Sequence, residues 1–205
     1  MRALLGIVYL AIVSALEVSR SEPPFVEPQY LDQLLNEGRY DEFSYYLGIP
    51  DPSLSRPTRE RSLGLNPMYH HGLAEGDMLV DDKEMLMRQG INMTKYRGSR
   101  WPNSPGEPVY VPVYFASNFT DSDREMLQKG FDSWNKQIKI IQMVNYVDDE
   151  SYIYVYPGDG CWAQMGRRGK QQSLSLGEGC MWVGTILHEL EHAMGITHEQ
   201  NRYDR

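Results

Sequence analysis

The sequence is poor in cysteine and contains no long apolar run. Its 205 residues include only two cysteines, Cys161 and Cys180, and they do not form a Cys-x-x-Cys pair. A closed structural zinc site rich in cysteine is therefore excluded. No stretch reaches the roughly 20 consecutive apolar residues that a membrane-spanning helix needs, so no transmembrane segment is expected.

Basic residues are also in the minority. Lysine and arginine number 20 against 28 acidic residues, which gives a formal net charge of -8. No basic cluster is interleaved with aromatic side chains, so a nucleic-acid partner is not expected. A hydrophobic fraction of 41% is sufficient for a globular core. The length allows one domain with additional N-terminal segments, but not a second enzyme domain.

The N-terminus has the pattern of a secretory signal peptide. Arg2 supplies a positive charge, Ala3 to Val13 is apolar but too short to cross a bilayer, and Val13-Ser14-Ala15 offers a small-residue cleavage site. We expect residues 1–19 to be removed and the protein to be secreted. A membrane anchor or a buried core helix is the alternative for this run. In a secreted protein the two cysteines are expected to pair with each other.

Two segments alternate in the manner of β-strands. They lie at 109–114 and 151–156. Pro112 favours an edge or early position for the first of them. Upstream, Pro23 to Gly48 predicts one short helix, and 51–67 is an expected linker with little packing of its own.

A longer helix is predicted from Thr120 to Lys136, with Ser122 and Glu125 as its capping box. Another is predicted from Gly184 to Met194. The order of elements predicts an α+β fold in which a twisted sheet backs onto helices. The apolar side of the longer helix is formed by Leu127, Phe131, Trp134 and Ile138.

The histidines of the chain are concentrated near its C-terminal end. His188 and His192 are spaced to lie on one helix face a turn apart, with Glu189 beside them. Gly195 permits the left-handed conformation that ends a helix, so the chain can turn back and His198 can reach the same centre. Three neutral imidazoles with a fourth position left to water indicate a catalytic site for one zinc ion.

This arrangement indicates metal-assisted hydrolysis. Zinc lowers the pKa of a bound water to roughly 7, and Glu189 is placed to take the proton of that water as it attacks a peptide carbonyl. A bare H-E-x-x-H pentad is also compatible with an ordinary amphipathic helix that carries solvated histidines. Gly195 and His198 favour the zinc site.

The motif H-E-x-x-H-x-x-G-x-x-H resembles that of the metzincins and, with the residues after it, that of the astacin family of zinc metalloendopeptidases. The resemblance covers Trp101 to Arg205. It implies a metzincin-like upper subdomain, a mostly β-sheet layer with a backing helix and an active-site helix. It also implies a protein or peptide substrate, synthesis as a zymogen and an activating protease. The residues after the motif that carry it are Glu199, Arg202, Asp204 and Arg205.

The resemblance also divides the chain. Residues 20–91 are expected to be a pro-segment, and 92–205 the N-terminal part of a catalytic domain. The family's domains continue through a turn with a buried methionine and a tyrosine near the zinc. We therefore expect the C-terminal subdomain to be missing from this chain. The alternative is a truncated, catalytically inactive secreted protein that at most binds zinc.

Asp77 is the expected zymogen switch. Gly76-Asp77 resembles the end of the family's Phe-x-Gly-Asp motif, whose aspartate takes the water position on zinc, although Ala74 replaces the aromatic residue. A carboxylate is a competent zinc ligand. A turn with a solvated aspartate is the alternative, and Asp81 and Asp82 are competing candidates for the switch.

The resemblance places the mature N-terminus at Asn92, where the new α-amino group would pair with Glu199. A buried ammonium needs such a partner, because an unpaired charge out of water costs several kcal/mol. Ile91 precedes this cut instead of a basic residue. Alternative trypsin-like sites are Arg88, Arg97 and Arg100.

Two further expectations concern the loops. The segment from Cys161 to Cys180 resembles the one that bears an internal disulfide and the edge strand beside the cleft, along which a peptide would lie antiparallel. Asn118-Phe119-Thr120 is a glycosylation sequon in an expected surface loop, and we expect it to carry a glycan. The second sequon, at Asn92, is expected to be unused.

Overall fold

A six-stranded mixed sheet forms the centre of the computed structural model, which describes residues 23–56, 69–70, 73–80 and 100–199. In chain order the strands are β1 (Met78–Leu79), β2 (Val109–Phe115), β3 (Ile141–Asn145), β4 (Tyr152–Tyr156), β5 (Cys161–Gln164) and β6 (Gln171–Leu176). They lie side by side in the order β1-β5-β6-β4-β2-β3. Neighbours are parallel except β5 and β6, which are antiparallel.

Within the described part of the chain, four α-helices cover the two faces of this sheet. They are α1 (Pro28–Asn36), α2 (Tyr40–Leu47), α3 (Asp121–Gln137) and α4 (Val183–Ala193). Tyr154 and Tyr156 of β4 meet Phe43 of α2. On the opposite face Phe115 of β2 meets Phe131 of α3. The predicted α+β fold, with a backing helix and an active-site helix, is therefore confirmed.

None of the helices in the described ranges combines the length and the apolar character needed to cross a membrane.

The N-terminal segment forms two α-helices where the sequence predicts one. The leucines of α1 are buried as expected, but a second amphipathic helix, α2, follows almost at once. Its buried Phe43 and Leu47 lie one turn apart, and Gly48 ends it at a φ of +63°. Beyond it, Pro52–Ser55 forms a 3-10 turn in which Leu54 is buried, so the first part of the predicted linker is packed.

Helix α3 has a different N-terminal cap from the predicted one. The Thr120 hydroxyl oxygen accepts the N–H of Asp123 at 3.2 Å, and Asp123 Oδ2 accepts the N–H of Thr120 at 3.1 Å. Ser122 and Glu125 are exposed instead, so the predicted capping box was wrong. Both pairs have the spacing of a capping box, and only the backbone conformation at the cap distinguishes them. Ile138 lies just beyond the helix and is 37% exposed.

Strand β2 lies inside the sheet, between β4 and β3, although Pro112 favours an edge or early position. Val109 donates its N–H toward β3, and Ala116 donates its N–H toward β4. Since successive N–H groups of a strand alternate in direction, the nitrogen of Pro112 faces β4. Pairing with β4 begins only at Val113. The missing N–H therefore removes no hydrogen bond from the sheet.

Helices α3 and α4 approach each other closely at Gly130. A Cβ atom at this position would lie 2.6 Å from Cγ2 and 3.1 Å from Cβ of Ile186 in α4. Ile186 is buried in a close-packed core and has little room to move aside. The missing side chain of Gly130 thus sets the distance between the backing helix and the helix that carries the histidine motif.

We predict that Gly130→Ala destabilises the protein by about 1–3 kcal/mol, because overpacking outweighs the gain of about 1 kcal/mol that alanine brings to a helix. Gly184→Ala is the matched control, since a Cβ at that position of α4 meets nothing within 4 Å. It should be neutral or stabilising. The free energy of unfolding from urea titration measures both variants. Equal values for the two would contradict the close approach at Gly130.

Candidate metal centre

Helix α4 begins and ends within one residue of its predicted limits. It spans Val183–Ala193, and Gly195 adopts a φ of +90° just beyond it. Other residues rarely adopt this left-handed conformation, and it lets the chain turn back as the spacing predicts. His188 and His192 on the helix and His198 after it are thereby brought to one point.

Three imidazole rings converge through their Nε2 atoms. The Nε2 atom of His188 lies 3.0 Å from that of His192 and 3.1 Å from that of His198. Asp77 Oδ2 lies 3.1 Å from the Nε2 atoms of both His188 and His198, and Asp77 Oδ1 lies 3.6 Å from that of His192. Across the described ranges, no other group of three or more side chains is arranged to hold a metal ion.

The second ring nitrogen identifies the tautomer of two of these histidines. His192 Nδ1 lies 2.7 Å from the carbonyl oxygen of Ile196, and His198 Nδ1 lies 2.7 Å from a carboxylate oxygen of Glu75. Because both partners are acceptors, each Nδ1 carries the hydrogen. Each Nε2 is therefore able to present a lone pair to a metal ion at the common centre, as in a metal ligand that is oriented by an outer hydrogen bond.

The spacing of the four ligand atoms fits a tetrahedral zinc ion. Zinc–nitrogen bonds of about 2.0–2.1 Å place neighbouring ligand atoms about 3.3 Å apart. The distances in this cluster, from 3.0 to 3.6 Å, lie on both sides of that value. Imidazole nitrogen and carboxylate oxygen are both ligands that zinc accepts. The residues present thus fit the metal that the motif predicts.

Two buried carboxylates, Asp77 and Glu189, lie at this centre. Neither oxygen of Glu189 has a hydrogen-bond partner among the described residues, and the same is true of Asp77 Oδ1. Burial raises the pKa of Glu189 well above its usual range, and the charge of Asp77 adds a smaller effect in the same direction. Burial also acts to raise the pKa of Asp77, but its contacts with the histidines outweigh this and lower it to about 2. Asp77 is therefore an anion at neutral pH, and the unpaired oxygens leave capacity for a bound group.

Asp77 reaches the histidines through a tight turn and the short strand β1. This strand runs parallel to β5, and the carbonyl oxygen of Asp77 accepts the N–H of Ala163 at 3.0 Å. Gly76 adopts a φ of +102°, and a Cβ there would lie 2.6 Å from the ring of Tyr69. Both conformation and space therefore require glycine before the aspartate. Asp77 is buried, unlike the solvated turn residue of the alternative interpretation.

The other predicted site residues lie on β5 and in the loops. Cys161 and Cys180 form a disulfide that links β5 to the segment before α4. Asn118 is exposed in the turn before α3, and its glycosylation stays a prediction. Glu199 is exposed directly after the third histidine, while its expected partner Asn92 lies outside the described residues. Also outside them are the predicted signal peptide at 1–19, Asp81, Asp82, Arg88, Ile91 and Arg97.

Two contacts that orient the histidines were not identified from the sequence. The carbonyl of Ile196 fixes His192, and this contact follows from the turn at Gly195. The left-handed turn predicted at Gly195 is the local signal from which the contact between Ile196 and His192 could have been inferred. The Glu75 carboxylate fixes His198 across 123 positions of sequence, and no local pattern indicates so distant a contact.

The fold and the site can be compared with known proteins. The family model described as Astacin, a family of peptidases, matches residues 93–205. The chain is 40% identical over 135 residues to Astacin-like metalloprotease toxin 1 of Loxosceles intermedia, which covers 65% of this chain and 48% of the relative. It is 31% identical over 134 residues to High choriolytic enzyme 2 of Oryzias latipes, which covers 65% of this chain and 46% of the relative.

A solved structure gives the same result. High choriolytic enzyme 1, a hatching enzyme zinc-protease from Oryzias latipes, matches with a TM-score of 0.50 at 32% identity, over 53% of this chain and 54% of that chain. The sheet, its backing helix and the histidine-bearing helix define a metzincin-like upper subdomain. Because the family match covers more than half of the chain, the chain belongs to the astacin family of peptidases. The chain spans about half the length of these relatives.

We predict that zinc stabilises the protein against unfolding. At a free zinc concentration of about 1,000 times Kd, binding adds about 4 kcal/mol to the free energy of unfolding, so a chelator should lower the melting temperature. His192→Gln removes a buried imidazole of the cluster and should lose most of this response. His70→Gln, at a histidine outside the cluster, should retain it. Melting curves with and without chelator test this, and an unchanged response in His192→Gln would refute the ligand assignment.

Proposed function

We propose that the protein is a secreted zinc-dependent endopeptidase that is made as an inactive precursor. The observation that carries the proposal is the convergence of His188, His192 and His198 with Asp77 on one partly buried centre. In the precursor these four side chains would hold one zinc ion, and in the mature enzyme the histidines would hold it with the fourth position left to water. A zinc ion held there would polarise the peptide carbonyl and lower the pKa of a bound water.

Glu189 is the proposed general base. It follows the first histidine on the same helix and is fully buried, so its position is fixed by the packing of α4. Neither of its oxygens is engaged by another described residue. A zinc ion beside it would favour the anionic form of Glu189, and its oxygens would then be available to accept the proton of the attacking water and to pass it to the leaving amine.

The contacts of the pro-segment support an inhibitory role for it. The N–H groups of Ala163 and Met165 are taken by the carbonyls of Asp77 and Leu79. A substrate strand lying along β5 would need the same groups. The parallel direction of β1 is opposite to the one expected for a substrate, and it presents a carboxylate to the centre instead of a peptide bond. Withdrawal of β1 and Asp77 would free both the strand edge and the metal.

Activation in this proposal follows a cut by another protease near Asn92. The new α-amino group would then pair with Glu199, next to the third histidine. Secretion rests on the signal-peptide pattern at residues 1–19, and it agrees with relatives that are named as a toxin and a hatching enzyme. The exposed turn at Asn118 supports its assignment as the glycosylated sequon.

We predict that, in the activated enzyme, Glu189→Gln keeps its zinc but lowers the rate of peptide hydrolysis by about 10²–10⁴-fold. The reason is that the proton acceptor is removed and the zinc ligands are not. Glu191→Gln makes the same change at an exposed position of the same helix and should leave hydrolysis nearly unchanged. Zinc content by atomic spectroscopy and cleavage of a peptide substrate are the two measurements. Full activity of Glu189→Gln would exclude it as the base.

We predict that Asp77→Ala produces a precursor that hydrolyses peptides before any cut. The change removes the carboxylate from the metal, so water can occupy its position. Asp81→Ala is the matched control and should stay silent. Activity is measured on precursor whose intact mass has been verified. A silent Asp77→Ala precursor would remove Asp77 as the switch, and an active Asp81→Ala precursor would transfer that role to Asp81.

A further inference from the structure

The segment that precedes the expected mature N-terminus has two parts with different contacts. The arm, residues 73–80, lies along β5 and brings Asp77 to the histidines. The helical unit, residues 23–55, contains α1 and α2 and covers the sheet face opposite to α3. Inhibition as proposed above needs only the arm, and it gives the helical unit no role.

The surface under the helical unit is a row of tyrosines. Tyr152, Tyr154 and Tyr156 lie on the same face of β4 and are 0% exposed. The ring centroid of Phe43 lies 5.7 Å from that of Tyr154 and 5.0 Å from that of Tyr156. The ring centroid of Phe25 lies 6.1 Å from that of Tyr152. Without the helical unit, three adjacent rings in the middle of the sheet would face water, and contiguous patches of this kind mark interfaces.

Asp32 joins α1 to this face through three hydrogen bonds. Its Oδ1 atom accepts the hydroxyl of Tyr154 at 2.5 Å and the N–H of Ser117 at 3.1 Å. Its Oδ2 atom accepts the hydroxyl of Tyr114 at 2.7 Å. Asp32 is only 8% exposed, and a buried carboxylate is stable only where such donors replace water. All three donors belong to the sheet side of the contact.

Two glutamine side chains of the sheet donate hydrogen bonds in the opposite direction, to carbonyl oxygens of the helical unit. Gln171 Nε2 donates to the carbonyl oxygens of Pro24 and Tyr46, at 2.8 Å each. Gln164 Nε2 donates to the carbonyl oxygen of Leu47 at 2.9 Å. Both glutamines are buried. Loss of the helical unit would leave their amide groups without these acceptors, which is more costly for a buried group than for an exposed one.

We propose that the helical unit is a permanent part of the folded domain and stays bound when the chain is cut between it and the arm. Its contact with the sheet combines buried aromatic packing with polar groups that are paired from both sides, as in the core of a domain. The arm pairs with β5 through only two strand residues and can leave separately. The tyrosine face therefore has a partner within this chain, its own residues 23–55. The proposal goes beyond the protease function and does not depend on hydrolysis.

A cut protein tests the proposal directly. A recognition sequence for a site-specific protease is inserted in the full chain between Arg56 and Tyr69, the protein is cut, and it is passed over a size-exclusion column at low micromolar concentration. The N-terminal fragment should elute with the remainder and should separate from it only in denaturant. A fragment that elutes alone without denaturant would overturn the proposal, whether the remainder stays folded or aggregates.

Matched variants identify the contact that holds the fragment. Asp32→Ala leaves the hydroxyls of Tyr114 and Tyr154 and the N–H of Ser117 without this acceptor, so it should weaken binding of the cut fragment about 10- to 100-fold. Asp41→Ala makes the same change at an exposed position of α2 and should leave binding unchanged. Equal binding by the two variants would refute the role of Asp32.

Tyrosine ionisation provides a second readout, which needs no substitution beyond the inserted cleavage site. Burial raises the pKa of Tyr152, Tyr154 and Tyr156 far above the usual value of about 10. In the cut protein these three tyrosines should remain un-ionised near pH 10, as in the uncut one, when absorbance is followed against pH. New tyrosines that titrate in the ordinary range after the cut would show that the face has been uncovered. Neither this readout nor the column measures activity, so the outcome is separate from the Glu189 test.

Discussion

Two carboxylates and three imidazoles are held together at one partly buried point, and much of the structure maintains that arrangement. Asp77 raises the pKa of Glu189 and both carboxylates are removed from water, so a cation at the centre would stabilise the two groups as anions. The helix that presents two of the histidines is fixed at its end, where the Trp101 indole donates to the carbonyl of Ala193 at 3.1 Å. It is fixed along its length by the close approach at Gly130. A small displacement of α4 would therefore change the ligand geometry directly.

The histidine site could be predicted almost completely from the sequence because its determinants are local. Ring spacing on α4 follows from helical periodicity, and the return of His198 follows from one glycine in a left-handed conformation. Asp77 is different, since only family resemblance pointed to it and no periodicity or spacing relates it to α4. Its contact is made by the pairing of β1 with β5, and the same pairing brings Glu75 to His198. Such long-range pairing is not encoded in a short stretch of sequence.

The fold was predicted less completely, and each error has a physical cause. The second N-terminal helix has its own signals, with Phe43 and Leu47 one turn apart and Gly48 after them, but they follow α1 so closely that the pattern also fits a single helix. The position of β2 depends on which neighbour each N–H faces, so Pro112 alone could not decide it. The cap of α3 depends on backbone dihedral angles, which the composition of the first turn leaves open.

In the precursor that we propose, blocking the metal centre and covering the sheet face are carried out by two different parts of the N-terminal segment. A short strand at a sheet edge is held by a few main-chain hydrogen bonds, and another extended peptide can replace it residue by residue. A helix packed on a sheet face is held by the burial of apolar area, and exposing that area to water is unfavourable. Such a helix therefore does not exchange with an extended peptide in this way. The chain places the Asp77 carboxylate, which we propose to be inhibitory, directly before the edge strand β1, and it places its buried tyrosine contacts on the face. Release of Asp77 can therefore proceed without disturbing the sheet that positions the histidines.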